Sequence, residues 1–551
     1  NITLDCNNVN FENLIIETQD KKMGDYSLPC FSLAKELHKS PMMIAEEIKS
    51  TYKQTELVEK IEVVNGYVNF YLNKLYFNKL ALEDMQSQSH YENKEFDGKT
   101  LCIDYSSINL AKYMHIGHLS TTMIGESLAR IYESLGYKVV RINYIGDYGT
   151  PFGKMMHAYL SWGNEQELDN RGVDYLQELY VEFCKRAEED ESLEESAREY
   201  FKKIEEKDEK IYPIYKKFIE ISKKEAKDIL DSLGVHFDSW KGEASYTDKL
   251  NDVVSMLESK NLLSSSEGAK IVNLEEFDLG ACLIQKSDGT SLYATRDIAA
   301  AIDRFNEYHF DKMFYITAVQ QKLHFEQFFK VLNLAGYEFS DNLKHIYYGM
   351  FSLPTGKIAS RRGKQAVLKD LMEYAYNKAY DILKDRTFTI ESKENVAQKV
   401  ALSALKFNAL KNERIKDSVF DIENCFSFDG DTSAYMQYTY ARISSVLRKA
   451  KVENFENIDY SYLNSPETFN LVFELNNYMN VLHKAMEQNE PSVLSKYALE
   501  ICKLTNKFYM SEKVLSENVE STKAKAYVLK NVKETLAHLF NLICIETIEE
   551  M

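Results

Sequence analysis

His115-Ile116-Gly117-His118 places two imidazoles three residues apart around a glycine. Imidazoles at that spacing can donate to phosphate oxygens as charge builds, and a bare glycine lets the backbone approach a nucleotide. With 11 His and 21 Gly in 551 residues, a chance H-x-G-H is expected about 0.008 times. Two ordinary histidines near a helix start are the plain alternative. Farther on, Tyr293 and Asp297 stand four residues apart, so on a helix they share a face. A carboxylate accepts a bidentate fork and a phenol adds a flat face or a hydroxyl, which suits a guanidinium. A surface Tyr–Asp pair has the same spacing. The third cluster is cationic, Lys357-Ile358-Ala359-Ser360-Arg361-Arg362-Gly363. By itself it reads as readily as a solvated basic loop.

These groups need elements to hold them. Leu101-Cys102-Ile103-Asp104-Tyr105 reads as a short strand, followed by a polar loop and an amphipathic helix from His118 to Leu135. Gly136 closes the helix, and Lys138 to Asn143 makes the next strand. Strand, helix and strand at this spacing predict a βαβ unit, the start of a doubly wound nucleotide-binding sheet. More β/α material is expected from Ala269 to Leu353, with strands at Met313–Ile316 and His345–Tyr348. Residues 160–235 are rich in Glu and Lys and read as solvated helices of an inserted lobe. Residues 1–75 read as a small α+β unit with a helical stretch from Phe31 to Tyr52 and strands at Ile61–Val64 and Tyr67–Leu72. A linker, 76–98, ends at the turn signal Asp97-Gly98, and the α/β domain then occupies 99–369. From Asp370 to Met551 there is almost no Gly, and apolar residues recur at helical spacing, so a separate helix bundle is expected. The fold class is α/β plus α.

A chain of 551 residues exceeds a single core. The eight cysteines are scattered singly with no C-x-x-C pair, which speaks against a zinc ribbon or a disulfide framework. No structural metal is expected, and reduced thiols fit a cytoplasmic protein. No run reaches the roughly 18 apolar residues of a membrane span. The first residue is Asn1, the start is polar, and no signal peptide is read; the native start is expected upstream. The net charge of −18 does not exclude RNA, because phosphate binding depends on local basic patches.

The segment Ser106–Met114, His115–His118 and Asn143-Tyr144-Ile145-Gly146-Asp147-Tyr148-Gly149 resembles the class I aminoacyl-tRNA synthetases, and within them the arginine-specific family. Asp288-Gly289-Thr290-Ser291-Leu292-Tyr293-Ala294-Thr295-Arg296-Asp297 is similar to that family as well. The resemblance implies a Rossmann-like catalytic domain, a small N-terminal domain that grips the tRNA elbow, and an all-α anticodon-binding bundle. It implies activation of L-arginine with ATP, carried as its Mg2+ complex, and transfer to the 3′ end of tRNA(Arg) by a monomer.

Residue by residue, the resemblance assigns ATP to His115, Gly117, His118, Met350, Lys357 and Ser360. The Lys357 loop stands where the family carries K-M-S-K-S, but with Ile358 for Met and Ser360 for the second Lys. Lys112 then shares the triphosphate with Lys357, offsetting the charge of departing pyrophosphate. The arginine pocket is assigned to Asp104, Asn109, Glu243, Tyr293, Asp297 and Gln321, with Asn109 on the α-amino or carboxylate end. His324 reads either as a neighbour of ribose or adenine or as a satisfied core histidine. Contacts to tRNA fall on Tyr67, Asn69, Arg361, Arg362, Gln437, Tyr440 and Arg442. For Tyr67 and Asn69 ordinary strand roles are an equal reading, and packing is an alternative for the aromatic helix around Tyr438. A cysteinyl enzyme would need zinc thiolates, and a small nucleotidyltransferase would leave the helical half without a use.

Overall fold

A computed structural model of the chain describes residues 14–18, 20–87, 90–91, 93–110, 112–287, 293–352 and 367–551. The first elements are β1 (Ile16–Glu17), β2 (Tyr26–Pro29), α1 (Phe31–Leu37), α2 (Pro41–Thr51), β3 (Val58–Val64) and β4 (Tyr67–Leu72). The strands make an antiparallel sheet in the order β1-β2-β4-β3. The single helix expected from Phe31 to Tyr52 is two. His38 turns left-handed at φ 49°, and Ser40 starts a new helix by accepting the Met43 N–H at 3.3 Å, with Pro41 in its first turn.

After α3 (Lys74–Asp84) come β5 (Thr100–Asp104), α4 (Ile116–Ser134) and β6 (Lys138–Ile142). The two strands pair in parallel, from Thr100 opposite Lys138 to Asp104 opposite Ile142. Five helices follow: α5 (Thr150–Trp162), α6 (Glu165–Arg171), α7 (Val173–Ala187), α8 (Ser192–Glu205) and α9 (Ile211–Ser232). Next is α10 (Leu250–Ser259), and then an antiparallel sheet of β7 (Leu263–Ser266), β8 (Ala269–Asn273) and β9 (Ala281–Gln285). The sheet resumes through α11 (Tyr293–Tyr308), β10 (Lys312–Tyr315), α12 (Lys322–Leu334) and β11 (Leu343–His345). The strand expected at His345–Tyr348 instead begins two residues earlier and ends at His345. The remaining elements are β12 (Phe351–Ser352), α13 (Leu368–Leu383), α14 (Lys393–Leu410), β13 (Ser418–Val419), α15 (Ser433–Ala450), α16 (Pro466–Asn476), α17 (Tyr478–Gln488), α18 (Ser492–Ser511) and α19 (Val519–Leu542).

Two compact units result: residues 1–90 with 443–478 and 501–535, and residues 91–442 with 479–500 and 536–551. In the first, Phe77 of α3 meets Phe469 and Phe473 of α16, each at 5.6 Å between centroids. In the second, the four-stranded parallel sheet runs β11-β10-β5-β6. Leu101, Cys102 and Ile103 are fully buried, which explains why this strand reads as an unbroken apolar run. The seven described cysteines are free thiols; six are buried and Cys184 is half-buried. No helix of the described residues is long and apolar enough to cross a membrane.

Helix α4 lies very close to the end of β5. A Cβ at Gly125 would meet the Tyr105 ring at 2.2 Å, and Tyr105 donates to Glu126 Oε2 at 2.6 Å. Gly125→Ala must therefore displace Tyr105. A destabilisation of about 1–3 kcal/mol is expected, read as a lower thermal midpoint.

Candidate active site

From β5 the chain winds through α4 to β6 on one side, and from β10 through α12 to β11 on the other. The order of winding reverses between β5 and β10, which pair in parallel up to Asp104 opposite Tyr315. A crevice opens beyond the carboxyl ends of such strands, where ligands of wound sheets bind.

The start of α4 faces this region. His115 Nδ1 accepts the Gly117 N–H and His118 Nδ1 accepts the His115 N–H, both at 3.1 Å, and the rings lie 4.0 Å apart. The helix thus begins at Ile116, with His115 as its cap. Burial lowers the His115 pKa, and burial with the neighbouring ring lowers that of His118 to about 3. Both rings are therefore neutral at neutral pH. With each Nδ1 accepting, the hydrogen sits on Nε2, free of the capping bonds and set to donate. Thr121 Oγ1 donates to the Ile316 carbonyl at 2.8 Å, and Thr122 Oγ1 to Ser106 Oγ at 3.0 Å, fixing this turn over β5 and β10.

A cavity of ≈ 410 Å³ collects all six residues assigned to the arginine pocket, Asp104, Asn109, Glu243, Tyr293, Asp297 and Gln321, together with His324. The residues differ in what they leave open. Asp104 is engaged already: Oδ2 lies 2.8 Å from Arg304 Nη2 in a buried ion pair, and Oδ1 accepts the Ser107 hydroxyl at 3.2 Å. Burial raises the Asp104 pKa while Arg304 draws it back. The Arg304 guanidinium lies 5.0 Å from the Tyr144 ring and 5.6 Å from that of Tyr315. Asp297 holds His324 through Oδ2, 2.6 Å from Nε2, so this histidine is a partner of the carboxylate. Tyr293 stands one turn before Asp297 on α11, 66% exposed at the cavity mouth. The buried Tyr144 hydroxyl has no partner among the described residues.

Glu243 is held by its backbone. Its N–H donates to the Ile145 carbonyl at 3.1 Å, and the next N–H, of Ala244, to Asp147 Oδ1 at 2.9 Å. Gly242 admits that carboxylate, since a Cβ there would meet Asp147 Oδ1 at 2.4 Å. The Glu243 carboxyl sits 3.8 Å from Arg296 Nη1. Burial pushes it up to about 7; Arg296 pulls the other way, and the charges of Asp297 and Asp147 add to the rise. Sequence reasoning missed Tyr144 in this wall, and Arg304 and Asp147, which hold Asp104 and the Glu243 segment from behind it.

Other assigned residues lie apart from the cavity. Lys112 sits with its Nζ 5.6 Å from the Tyr180 ring and shares a narrow crevice with Asn109. Met350 is exposed, and its N–H donates to Asp417 Oδ1 at 2.7 Å. Lys357, Ser360, Arg361 and Arg362 fall outside the described residues. Tyr67 is partly exposed and packs edge-on against Phe31 at 5.2 Å. Arg442 Nη2 donates to the Tyr438 hydroxyl at 3.1 Å. Three residues assigned to RNA contacts are buried. Asn69 Oδ1 accepts the Ser27 hydroxyl at 2.7 Å. Gln437 is fully buried, its Nε2 donating to Ser403 Oγ and to the Glu546 carbonyl, both at 2.9 Å. Tyr440 packs against Phe540 at 5.8 Å.

A parallel sheet whose switch point carries the His115–His118 helix start is a nucleotide-binding arrangement. Residues 81–422 match the family model described as tRNA synthetases class I (R), catalytic domain. Residues 3–72 match the arginyl tRNA synthetase N terminal domain, and residues 436–551 the DALR anticodon binding domain. The chain is 40% identical to an arginine–tRNA ligase of Alkaliphilus metalliredigens, over 97% of this chain and 94% of the relative. It is 42% identical to that of Clostridium beijerinckii, over 98% and 96%. Among solved structures it is similar to the arginyl-tRNA synthetase of Thermus thermophilus, with a TM-score of 0.81 at 23% identity, covering 98% of this chain and 96% of that one. The chain belongs to the arginyl-tRNA synthetase family.

Proposed function

We infer that this chain is an arginine–tRNA ligase that forms arginyl-adenylate from L-arginine and ATP and esterifies it to tRNA(Arg). The observation that carries the site reading is the meeting of Glu243 and Asp297 in one cavity at the end of β5, where Ser106 is bonded to the first turns of the helix that the neutral His115–His118 pair begins. Two carboxylates suit a planar cation, and donors at a helix start suit phosphate oxygens. ATP enters as its magnesium complex, a substrate and not a resident cofactor.

In the first step a carboxylate oxygen of arginine attacks the α-phosphorus, the bond to the β-phosphate breaks, and pyrophosphate leaves. His115 and His118 donate from Nε2 as charge gathers on phosphate, and Lys112 and Lys357 hold the triphosphate. No side chain acts as nucleophile; positioning and charge stabilisation carry the rate. A terminal ribose 2′-hydroxyl of tRNA then attacks the adenylate carbonyl and releases AMP. The proposed division of labour is residues 1–75 on the tRNA elbow, 76–98 as linker, 99–369 for catalysis with an insertion at 160–235, and 370–551 on the anticodon, in a cytoplasmic monomer. Arginine-dependent ATP–pyrophosphate exchange with tRNA present is expected to be robust, and weak with lysine or citrulline. Equal exchange with several amino acids would overturn the pocket.

Glu243 gives the site a pH signature. A carboxyl near 7 is largely neutral below that pH, and a cationic side chain binds the ionised form. The arginine KM is therefore expected to fall about tenfold from roughly pH 6 to pH 8 and then level off. The KM for ATP, measured in the same series, stays flat, and Glu243→Gln removes the slope. A slope that survives this substitution assigns it to another group.

A further inference from the structure

Thr317 stands two residues past β10 and lines the cavity. Its Oγ1 lies 2.8 Å from Nε2 of His345, the last residue of β11. The other ring nitrogen, Nδ1, is buried and has no partner among the described residues, and Phe325 stacks on the ring at 4.4 Å. An orphaned buried N–H is rarer than an orphaned lone pair, so the ring hydrogen sits on Nε2. His345 then donates to Thr317 Oγ1, and the threonine keeps its own hydrogen for another acceptor. Burial lowers the His345 pKa to about 4, so the ring stays neutral across neutral pH.

We propose that Thr317 is a substrate-contacting residue that donates its hydroxyl hydrogen to an acceptor oxygen of the bound reactants, with His345 as the positioning residue that orients it. The acceptor belongs to the arginine carboxylate or to the ATP ribose. Ionised Asp297 and Glu243 offer acceptors only, so a hydroxyl set to donate supplies what they lack. The proposal rests on the reading of the cavity as the adenylate-forming site.

The test is pyrophosphate exchange by the full chain with tRNA, at varied arginine and varied ATP, with thermal midpoints measured alongside. Thr317→Val keeps the shape and removes the donor; kcat/KM is expected to fall about tenfold, the worth of one neutral hydrogen bond. A rise in the arginine KM assigns the acceptor to the carboxylate, and a rise in the ATP KM to the ribose. Thr317→Ser is expected to stay within about threefold of the parent. His345→Phe is expected to lose as much as Thr317→Val, His345→Gln to recover most of it through its amide N–H, and the double variant Thr317→Val/His345→Phe to be no worse than either alone. Full activity of Thr317→Val, equal damage from Thr317→Ser, or additive losses in the double variant would overturn the proposal. Absence of arginine-dependent exchange in the parent chain overturns instead the cavity reading beneath it.

Discussion

Asp297→Asn is expected to raise the arginine KM about 10- to 100-fold while the ATP KM stays within about threefold. Asp297 gives Oδ2 to His324 and has a second oxygen for a cation. Asparagine keeps the volume and one acceptor but removes the charge. A charge-assisted hydrogen bond contributes roughly 1.5–3 kcal/mol, and the fork of a guanidinium uses both its geometry and its charge. Because the loss falls on the bound side chain of arginine, it appears in KM before kcat. Steady-state exchange at two fixed concentrations of the other substrate separates the two. A matched rise in both KM values would move Asp297 from specificity to scaffolding, and the guanidinium assignment would go with it.

The second large effect is on rate. His118→Ala is expected to lower kcat about 100- to 1,000-fold, as removal of one preorganised donor to developing charge does elsewhere. The ring also accepts the His115 N–H, so alanine removes a cap worth about 1 kcal/mol together with the donor. His118→Gln separates the two, because its amide N–H falls near Nε2 while its stem cannot accept in place of Nδ1. Partial recovery of kcat with no recovery of the thermal midpoint is the expected pattern. Recovery of midpoint and rate in step would make His118 a cap alone.

Local pattern carried much of the fold and less of the site. The β5–α4–β6 unit was readable because its strand is an apolar run and its helix stops at Gly136, where φ is +99°. The β7–β9 sheet was not, because Leu263 is followed by Ser264, Ser265 and Ser266, which leave β7 without an apolar alternation on either face. The shared face of Tyr293 and Asp297 was legible from helical spacing, while their place in a pocket came only from the resemblance. Arg304, two turns further along the same helix, was not singled out, although a lone arginine beyond Ala299–Ala301 on a buried face was a usable signal. Asp147 lay out of reach: its partner Ala244 is 97 residues away, beyond five helices. The burial of Gln437 was not legible, because a polar residue among aromatics reads alike on a wet face or a dry one. Its partners, Ser403 and Glu546, come from 34 and 109 residues away.

The seclusion of the thiols has a practical side. Burial pushes Cys102, Cys282 and Cys425 up to about 12 and Cys30 up to about 11, and a maleimide attacks thiolate, not thiol. Once Cys6 and Cys184 are changed to serine, a Met350→Cys substitution would give a fluorophore one fast-reacting attachment point ahead of the Lys357 segment. Emission from that dye could then follow nucleotide capture in real time against an almost dark background.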